Sequence, residues 1–402
     1  MKVLLVSQPA SDGVFRHVEG LADYLIAQGI TVHLAYSDRE ACDELRPFVN
    51  RVAAAGGRTL NLQVGNGPGP GDLPALWALH RLIQETAPDI IHAHSSKAGG
   101  LVRGMAFLGL RQRIFYTPNG YFRMHAPDGL KARVFHAIER LLGRRGTTIN
   151  VSQDETAFAR DRLRIPEASR RMIANGVDCA RFRPATPDEK GELRTRFGVS
   201  PDALVLGTVG RFSAQKDPLT TYSALFKVLP SVPNLVFVHL GKGELEPEVD
   251  ALLAAQGLAG RCLRLPYLAD TATFYRMLDG FVLASRYEGM SFAAIESMAS
   301  GLPLILSQAP GNQDFAHYGL DRIYWTPPEN PEALAAAILA WHRRSTSDST
   351  LPNHRAVAVE QFSVETGYAR LVAGYRKDRK TFRDCSFSHL GPADRSRGGA
   401  DH

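Results

Sequence analysis

At 402 residues the chain is too long for one ordinary hydrophobic core, and its length predicts two or three domains. Composition is that of a soluble globular protein, 44% hydrophobic and 22% charged, and no run of about 18 apolar residues is present to span a membrane. The net charge of +6 is uneven: residues 1–186 hold 24 Lys and Arg against 17 Asp and Glu, a surplus that suits partners bearing phosphate, whether nucleic acid, anionic lipid or a phosphorylated small molecule.

In chain order, MKVLLVSQP has four apolar positions before polar residues and Pro arrive, which reads as a first buried strand, KVLLVS (2–7), and not as a secretion signal. HVEGLADYLIAQG follows with apolar residues at helical spacing and Gly29 as its stop. TVHLAYS (31–37), DIIHAHS (89–95), RIFYTP (113–118) and TTINVS (147–152) are further strands, and GNGPGPGDLP (65–74) is a loop too polar to pack. A border is expected near FRPATPDEKGEL (182–193), where Pro, Thr and charge replace apolar periodicity. The second half repeats the plan with ALVLGTVG (203–210), LVFVHLG (235–241), CLRLPY (262–267), GFVLAS (280–285) and PLILS (303–307). Its helices are DPLTTYSALFKVLPSV, PEVDALLAAQG and SFAAIESMASG.

This alternation predicts an α/β protein with two Rossmann-like, doubly wound parallel-sheet domains, residues 1–183 and 184–361. A helix within 362–380 is expected to return to the first domain, and the tail 381–402, which lacks periodicity, to be disordered. Such domains in tandem face each other across a cleft at the carboxyl ends of their strands, where these sheets bind ligands. Cys42, Cys179, Cys262 and Cys385 are scattered without a CxxC, which excludes a disulfide framework or structural zinc and points to a reducing, cytoplasmic compartment. His92 and His94 share a strand face but have no evident third ligand, so no metal is expected.

Several motifs carry chemistry. The first strand is followed by SQPASDGVFRHVEG and not by GxGxxG, which weakens a dinucleotide reading and leaves Gly13 beside a helix start able to meet an anion. GTVGRFSAQKDP (207–218) sets Arg211, a planar fork, and Lys216, a point charge, where both can converge on phosphate. In GKGELEPEV, Gly241 and Gly243 would let backbone approach a ligand closely. In EGMSFAAIE, Glu288 falls in the loop after a strand and Glu296 inside the following helix. The amides of Gly289, Met290, Ser291 and Phe292 form a helix N-terminus able to hold a diphosphate or sugar oxygen. Two carboxylates flanking an anion site suit a polyhydroxylated, phosphorylated ligand, because they accept hydrogen bonds from hydroxyls. The plainer alternatives are solvated loop cations, a capping carboxylate and an ion pair.

Taken in order, GRFSAQK, GKGEL, EGMSFAAIE and SMASGLPLILS resemble a glycosyltransferase of family 4, with its two-Rossmann GT-B architecture. HAHSSKAG, YTPNGY and ANGVDCARFRP match more loosely, and the resemblance covers residues 1 to about 380. It implies that Arg211 and Lys216 neutralise the departing diphosphate, Glu296 holds the ribose hydroxyls, Glu288 holds the donor-sugar hydroxyls and Gly13 lets the first domain approach the diphosphate. Glu244 and Tyr267 join the donor set by position, the base being read near Leu265 to Asp270. It further implies a retaining transfer from a UDP- or GDP-linked sugar, without cofactor or metal, in which the leaving phosphate is the base. Asn119, in YTPNGYF, stands where many relatives carry His near the donor sugar; His125 is a remote substitute. That change keeps open a non-catalytic sugar-nucleotide-binding subunit, which would bind donor without turnover. A GT-B sugar-nucleotide epimerase, which would act with no acceptor, is the other alternative.

The acceptor is expected on the first domain and to be a saccharide or a lipid-linked one, as in bacterial surface polysaccharide or glycolipid synthesis. LKARVFHAIERLLGRRG (130–146) reads as an amphipathic basic helix. Arg103, Arg133, Arg140, Arg144 and Arg145 are expected on an anionic membrane's side, with Phe135, Ile138, Leu141 and Leu142 facing inward. The protein would then be cytoplasmic and peripheral on the inner face of the membrane. Nucleic acid is not expected, since no binding motif accompanies the basic residues.

Overall fold

The structure, a computed structural model, describes residues 1–377 apart from residues 123, 125–128, 258, 267, 269, 348 and 349. The expectations for His125, Tyr267 and the tail 381–402 lie outside the described residues.

Strands form where Val, Ile and Leu crowd between turn residues, because aliphatic side chains fit a pleated surface buried on both faces. The first sheet contains Lys2–Ser7 (β1), Thr31–Tyr36 (β2), Thr59–Asn61 (β3), Ile90–His94 (β4), Arg113–Thr117 (β5), Thr147–Asn150 (β6) and Arg170–Met172 (β7). The second contains Leu204–Val209 (β8), Leu235–Leu240 (β9), Cys262–Leu265 (β10), Gly280–Leu283 (β11), Leu304–Ser307 (β12) and Ile323–Thr326 (β13). Every pairing is parallel, in the orders β3-β2-β1-β4-β5-β6-β7 and β10-β9-β8-β11-β12-β13. β3, β7 and β13 give no clear sequence signal because each is an edge strand of three or four residues with mostly half-buried side chains.

Helices Asp12–Ala27 (α1), Leu45–Ala54 (α2), Asp72–Thr86 (α3), Ser96–Met105 (α4), Leu130–Leu142 (α5) and Gln153–Asp161 (α6) connect the first sheet. Pro187–Arg196 (α7), Pro218–Val228 (α8), Glu246–Gln256 (α9), Thr271–Arg276 (α10), Phe292–Ala299 (α11) and Pro331–Ser347 (α12) serve the second. Their starts obey capping chemistry: Ser152, Thr186 and Asp217 accept from the backbone N–H three residues on, and Pro187 and Pro218 open their helices. No helix among the described residues is long and apolar enough to cross a membrane.

The chain ends with His354–Phe362 (α13) on the second domain and Val364–Arg376 (α14) on the first. Val177 and Phe362–Val364 exchange backbone hydrogen bonds where the chain passes between domains. Tyr368, Leu371, Val372 and Tyr375 of α14 complete the core built by Phe15, Val18 and Leu21 of α1. The Tyr375 hydroxyl lies 2.5 Å from Nδ1 of fully buried His92, and Arg113 donates to the carbonyls of Gly374 and Tyr375. Tyr375→Phe is expected to cost about 1–2 kcal/mol by leaving His92 Nδ1 unpaired, and Tyr375→Ala about 3–5 kcal/mol, measured by thermal unfolding.

Candidate active site

Both sheets reverse strand order beside their first strand, between β1 and β4 and between β8 and β11. At such a point the connections leave in opposite directions and a crevice opens at the carboxyl edge. The two edges share one cavity of about 330 Å³, lined from the first domain by Gly13, Asn119 and Asn175 and from the second by Arg211, Lys216, Glu288 and Glu296.

Two helix N-termini meet there. Ser291 caps α11, its hydroxyl accepting from the Ala294 N–H at 3.4 Å. A Cβ on Gly13, in the first turn of α1, would stand 3.6 Å from the Phe292 ring. The unpaired N–H groups and positive dipole ends of both helices therefore face the same small volume. Arg211 and Lys216 line it too, and Gly289, Met290, Ser291 and Phe292 complete the wall. The cavity is built for concentrated negative charge.

The two glutamates have different partners. Glu288 is buried, and its Oε1 accepts from Lys216 Nζ and from Ser285 Oγ, each at 2.6 Å. Glu296 accepts from the Tyr275 hydroxyl at 2.6 Å through Oε2. Burial pushes the Glu296 carboxyl above its ordinary range, while the Tyr275 bond and the more distant Arg16 and Arg181 pull it back. Ser285 and Tyr275 are supports that sequence spacing does not reveal.

Other positioning groups come from far along the chain. Asn175, in ANGVD, donates from Nδ2 to the Met290 carbonyl at 3.1 Å and accepts at Oδ1 from His17 Nδ1 at 2.9 Å. This single amide fixes the second domain's anion loop to α1 of the first. Burial lowers His17 to about 4, so the ring is neutral and donates through Nδ1–H. Asn119 and Gly120 both take positive φ, 50° and 96°, a turn that Asn and Gly enter at least cost. Buried Glu155 holds that turn by accepting from the Gly120 N–H, and also accepts from Val151 N–H at 3.0 Å. Asn119 Nδ2 is buried with no hydrogen-bond partner among the described residues. Asp314 of the second domain accepts from the Gln153 N–H at the start of α6, a further tie across the cleft.

Some expectations need correction. Gly241 and Gly243 do not line the cavity: Cβ atoms there would meet Gly210 O at 2.0 Å and Phe212 O at 2.5 Å. Their glycines admit close packing of the 241–243 turn on the loop that presents Arg211. Glu244 is exposed and outside the cavity. Arg103 faces no membrane; it is fully buried, its guanidinium 3.7 Å from the Tyr116 ring centre and 2.9 Å from Glu139 Oε2. That pair turns α5: Ala132, Glu139 and Leu142 face inward and Phe135 is half-buried, whereas Ile138 and Leu141 face outward. Arg133, Arg140, Arg144 and Arg145 are exposed as expected, Arg140 donating to the Arg162 carbonyl and Arg145 lying over Phe107. His92 and His94 are buried with ring centres 4.1 Å apart, and the described residues hold no cluster suited to a metal.

The model of Glycosyltransferase Family 4 matches residues 11–181, and that of Glycosyl transferases group 1 matches residues 203–344. The chain belongs to glycosyltransferase family 4. An Escherichia coli relative, UDP-Gal:alpha-D-GlcNAc-diphosphoundecaprenol alpha-1,3-galactosyltransferase, is 30% identical over 60% of this chain and 63% of its own length. A D-inositol 3-phosphate glycosyltransferase of Geodermatophilus obscurus is 25% identical over 90% of this chain and 84% of its own. With several of these relatives, including the E. coli enzyme, the match spans less than two thirds of their length. Among solved structures, Anabaena HepE in complex with UDP-glucose superposes with a TM-score of 0.77 at 20% identity, covering 93% of this chain and 99% of that one. WaaG, a glycosyltransferase involved in lipopolysaccharide biosynthesis, gives a TM-score of 0.70 at 13% identity over 94% and 100%. These likenesses establish the GT-B fold for this family member.

Burial raises Glu155 from an ordinary 4.5 to about 7, against the pull of the Val151 and Gly120 N–H groups, and raises Asp314 from 3.8 to about 6. The folded state of this family 4 chain thus binds protons that the unfolded state has released. The stability these groups confer is full below their unfolded values and is lost as pH rises through the folded ones. Glu155→Gln is expected to flatten the fall in stability between about pH 5 and about pH 8 by on the order of 1–3 kcal/mol, measured by urea unfolding across that range.

Proposed function

We propose that this chain transfers a sugar from a nucleotide-diphosphate sugar, UDP- or GDP-linked, to a hydroxyl of a saccharide or lipid-linked saccharide, with retention at the anomeric carbon. The observation that carries this reading is the convergence of two helix N-termini, Arg211 and Lys216 on one cavity that also presents two carboxylates. A diphosphate needs that positive lining, and a hexose and a ribose need those acceptors.

In the proposed reaction the bond between the anomeric carbon and the diphosphate oxygen breaks as the acceptor oxygen closes on the same face. The acceptor's proton passes to the departing phosphate oxygen, so no protein nucleophile is needed. Charge grows on the diphosphate as it leaves, and Arg211, Lys216 and the amides of Gly289 to Phe292 meet it, without a resident metal. Glu288, oriented by Lys216 and Ser285, binds donor-sugar hydroxyls; Glu296, oriented by Tyr275, binds the ribose. Asn119 Nδ2 supplies an amide donor to the sugar where many relatives have an imidazole.

UDP is supported by the HepE complex, and a lipid-linked acceptor by the E. coli enzyme's name. Both fit synthesis of a bacterial surface polysaccharide or glycolipid, by a peripheral protein at the cytoplasmic side of an anionic membrane. Release of nucleoside diphosphate from a panel of donors and acceptors tests the reading. Arg211→Ala and Lys216→Ala are each expected to lower kcat about 10²–10³-fold. Donor binding without turnover by the wild type would instead favour a non-catalytic subunit, and product formed without acceptor an epimerase.

A further inference from the structure

α3, α4 and α5 cover one face of the first sheet, with α4 packed between the other two. Of the twelve large apolar side chains exposed among the described residues, eight belong to this layer and its connections. Four stand on α5 alone: Leu130, 79% exposed, Val134, Ile138 and Leu141, 60% exposed. Their spacing of four, four and three residues places them in one stripe along a helix of 13 residues, about 20 Å long. Leu73 and Trp77 repeat the pattern on α3, and Phe107 is the middle residue of the 3₁₀ turn Ala106–Leu108 after α4.

Cations border the stripe. Lys131 flanks it on one side, Arg133 and Arg140 on the other, and exposed Arg144 and Arg145 follow its end. The only acid of α5, Glu139, is buried against Arg103 and contributes nothing to the outer face. An ordinary solvated helix has the reverse arrangement, charge outside and aliphatic residues within.

We infer that the outer face of α5 seats the protein on a bilayer containing anionic lipid, with Leu130, Val134, Ile138 and Leu141 among the acyl chains and the flanking cations on the headgroup phosphates. This rests on the lipid-linked acceptor proposed above and gives it a location. A lipid bilayer is favoured as occupant because every ionic group that α5 itself presents on its outer face has one sign, complementary to anionic headgroups. The face is also joined to the cavity wall: the Phe122 ring, three residues after cavity-lining Asn119, lies 4.5 Å from Phe135 of α5.

Co-sedimentation of the full chain with phosphatidylglycerol-containing and with neutral phosphatidylcholine vesicles tests the inference. The wild type should bind the anionic vesicles preferentially. Ile138→Glu combined with Leu141→Glu should lower partitioning at least about tenfold at both about 0.1 M and about 0.5 M salt. Arg133→Glu combined with Arg144→Glu should lower it about tenfold or more at the lower salt, with a smaller effect at the higher. All of these side chains are exposed, so thermal stability and nucleoside-diphosphate release with a soluble acceptor should be unchanged in both variants. Absent turnover with vesicle binding intact would overturn the transferase reading alone. Equal vesicle binding by the wild type and the Ile138/Leu141 variant, or none by the wild type, would overturn the membrane seat. So would a wild-type dimer that the same variant dissociates, since the stripe would then face a second copy.

Discussion

Everything at the centre of this molecule depends on unpaired backbone N–H groups at the ends of two helices. α1 and α11 each begin at the carboxyl edge of a parallel sheet, and the two edges are opposed so closely that Gly13 and Phe292 nearly touch. Neither set of amides can be satisfied by its own helix. Arg211 and Lys216 stand beside those partial charges, Lys216 in an ion pair with Glu288. A diphosphate is compact and charged enough to answer both helices at once.

Carboxylates placed beside such a site need partners that fix them. Glu288 is committed to Lys216 and Ser285 through one oxygen, and Glu296 is held by a tyrosine hydroxyl and not by a cation. Glu155 and Asp314 are spent on backbone N–H groups of Gly120, Val151 and Gln153. Their raised proton affinities are the consequence of burial first and of neighbouring carboxylate charge second, Asp154 acting on both. Asn175 then links the two halves with a neutral bridge, which holds the anion loop without altering the charge of the site.

Much of this was legible in the sequence for one physical reason. Strands buried on both faces must be apolar throughout, so their ends are visible, and the residues just beyond the carboxyl ends are the ones that line the cleft. Arg211, Lys216 and Glu288 are found that way, Asn119 only through the family resemblance, and all four lie on one cavity. Glu296 and Gly13 follow from the helices that begin there. Partners contributed from more than a hundred residues away, such as Asn175 to Met290, have no local signature. β3, β7 and β13 are hidden because each has only three or four residues, too few to show a period. The observed orientation of α5 differs from the expected one because periodicity reveals that a helix has an apolar stripe but not which side the sheet takes. The decision is made by buried Arg103, which requires Glu139 on the inner face and thereby sends Ile138 and Leu141 outward.

The central claim is that the cavity binds a nucleoside diphosphate with Glu296 on its ribose. Its most direct test is thermal stabilisation by UDP, GDP and ADP in the wild type and in Glu296→Gln. A ligand held only by the native state stabilises it by roughly 2.7 kcal/mol at a hundred times its dissociation constant. The account predicts stabilisation by one of the three nucleotides, clearly weakened in the variant. No stabilisation by any of them at millimolar concentration, in a folded sample, would contradict it and return the two glutamates to a structural role.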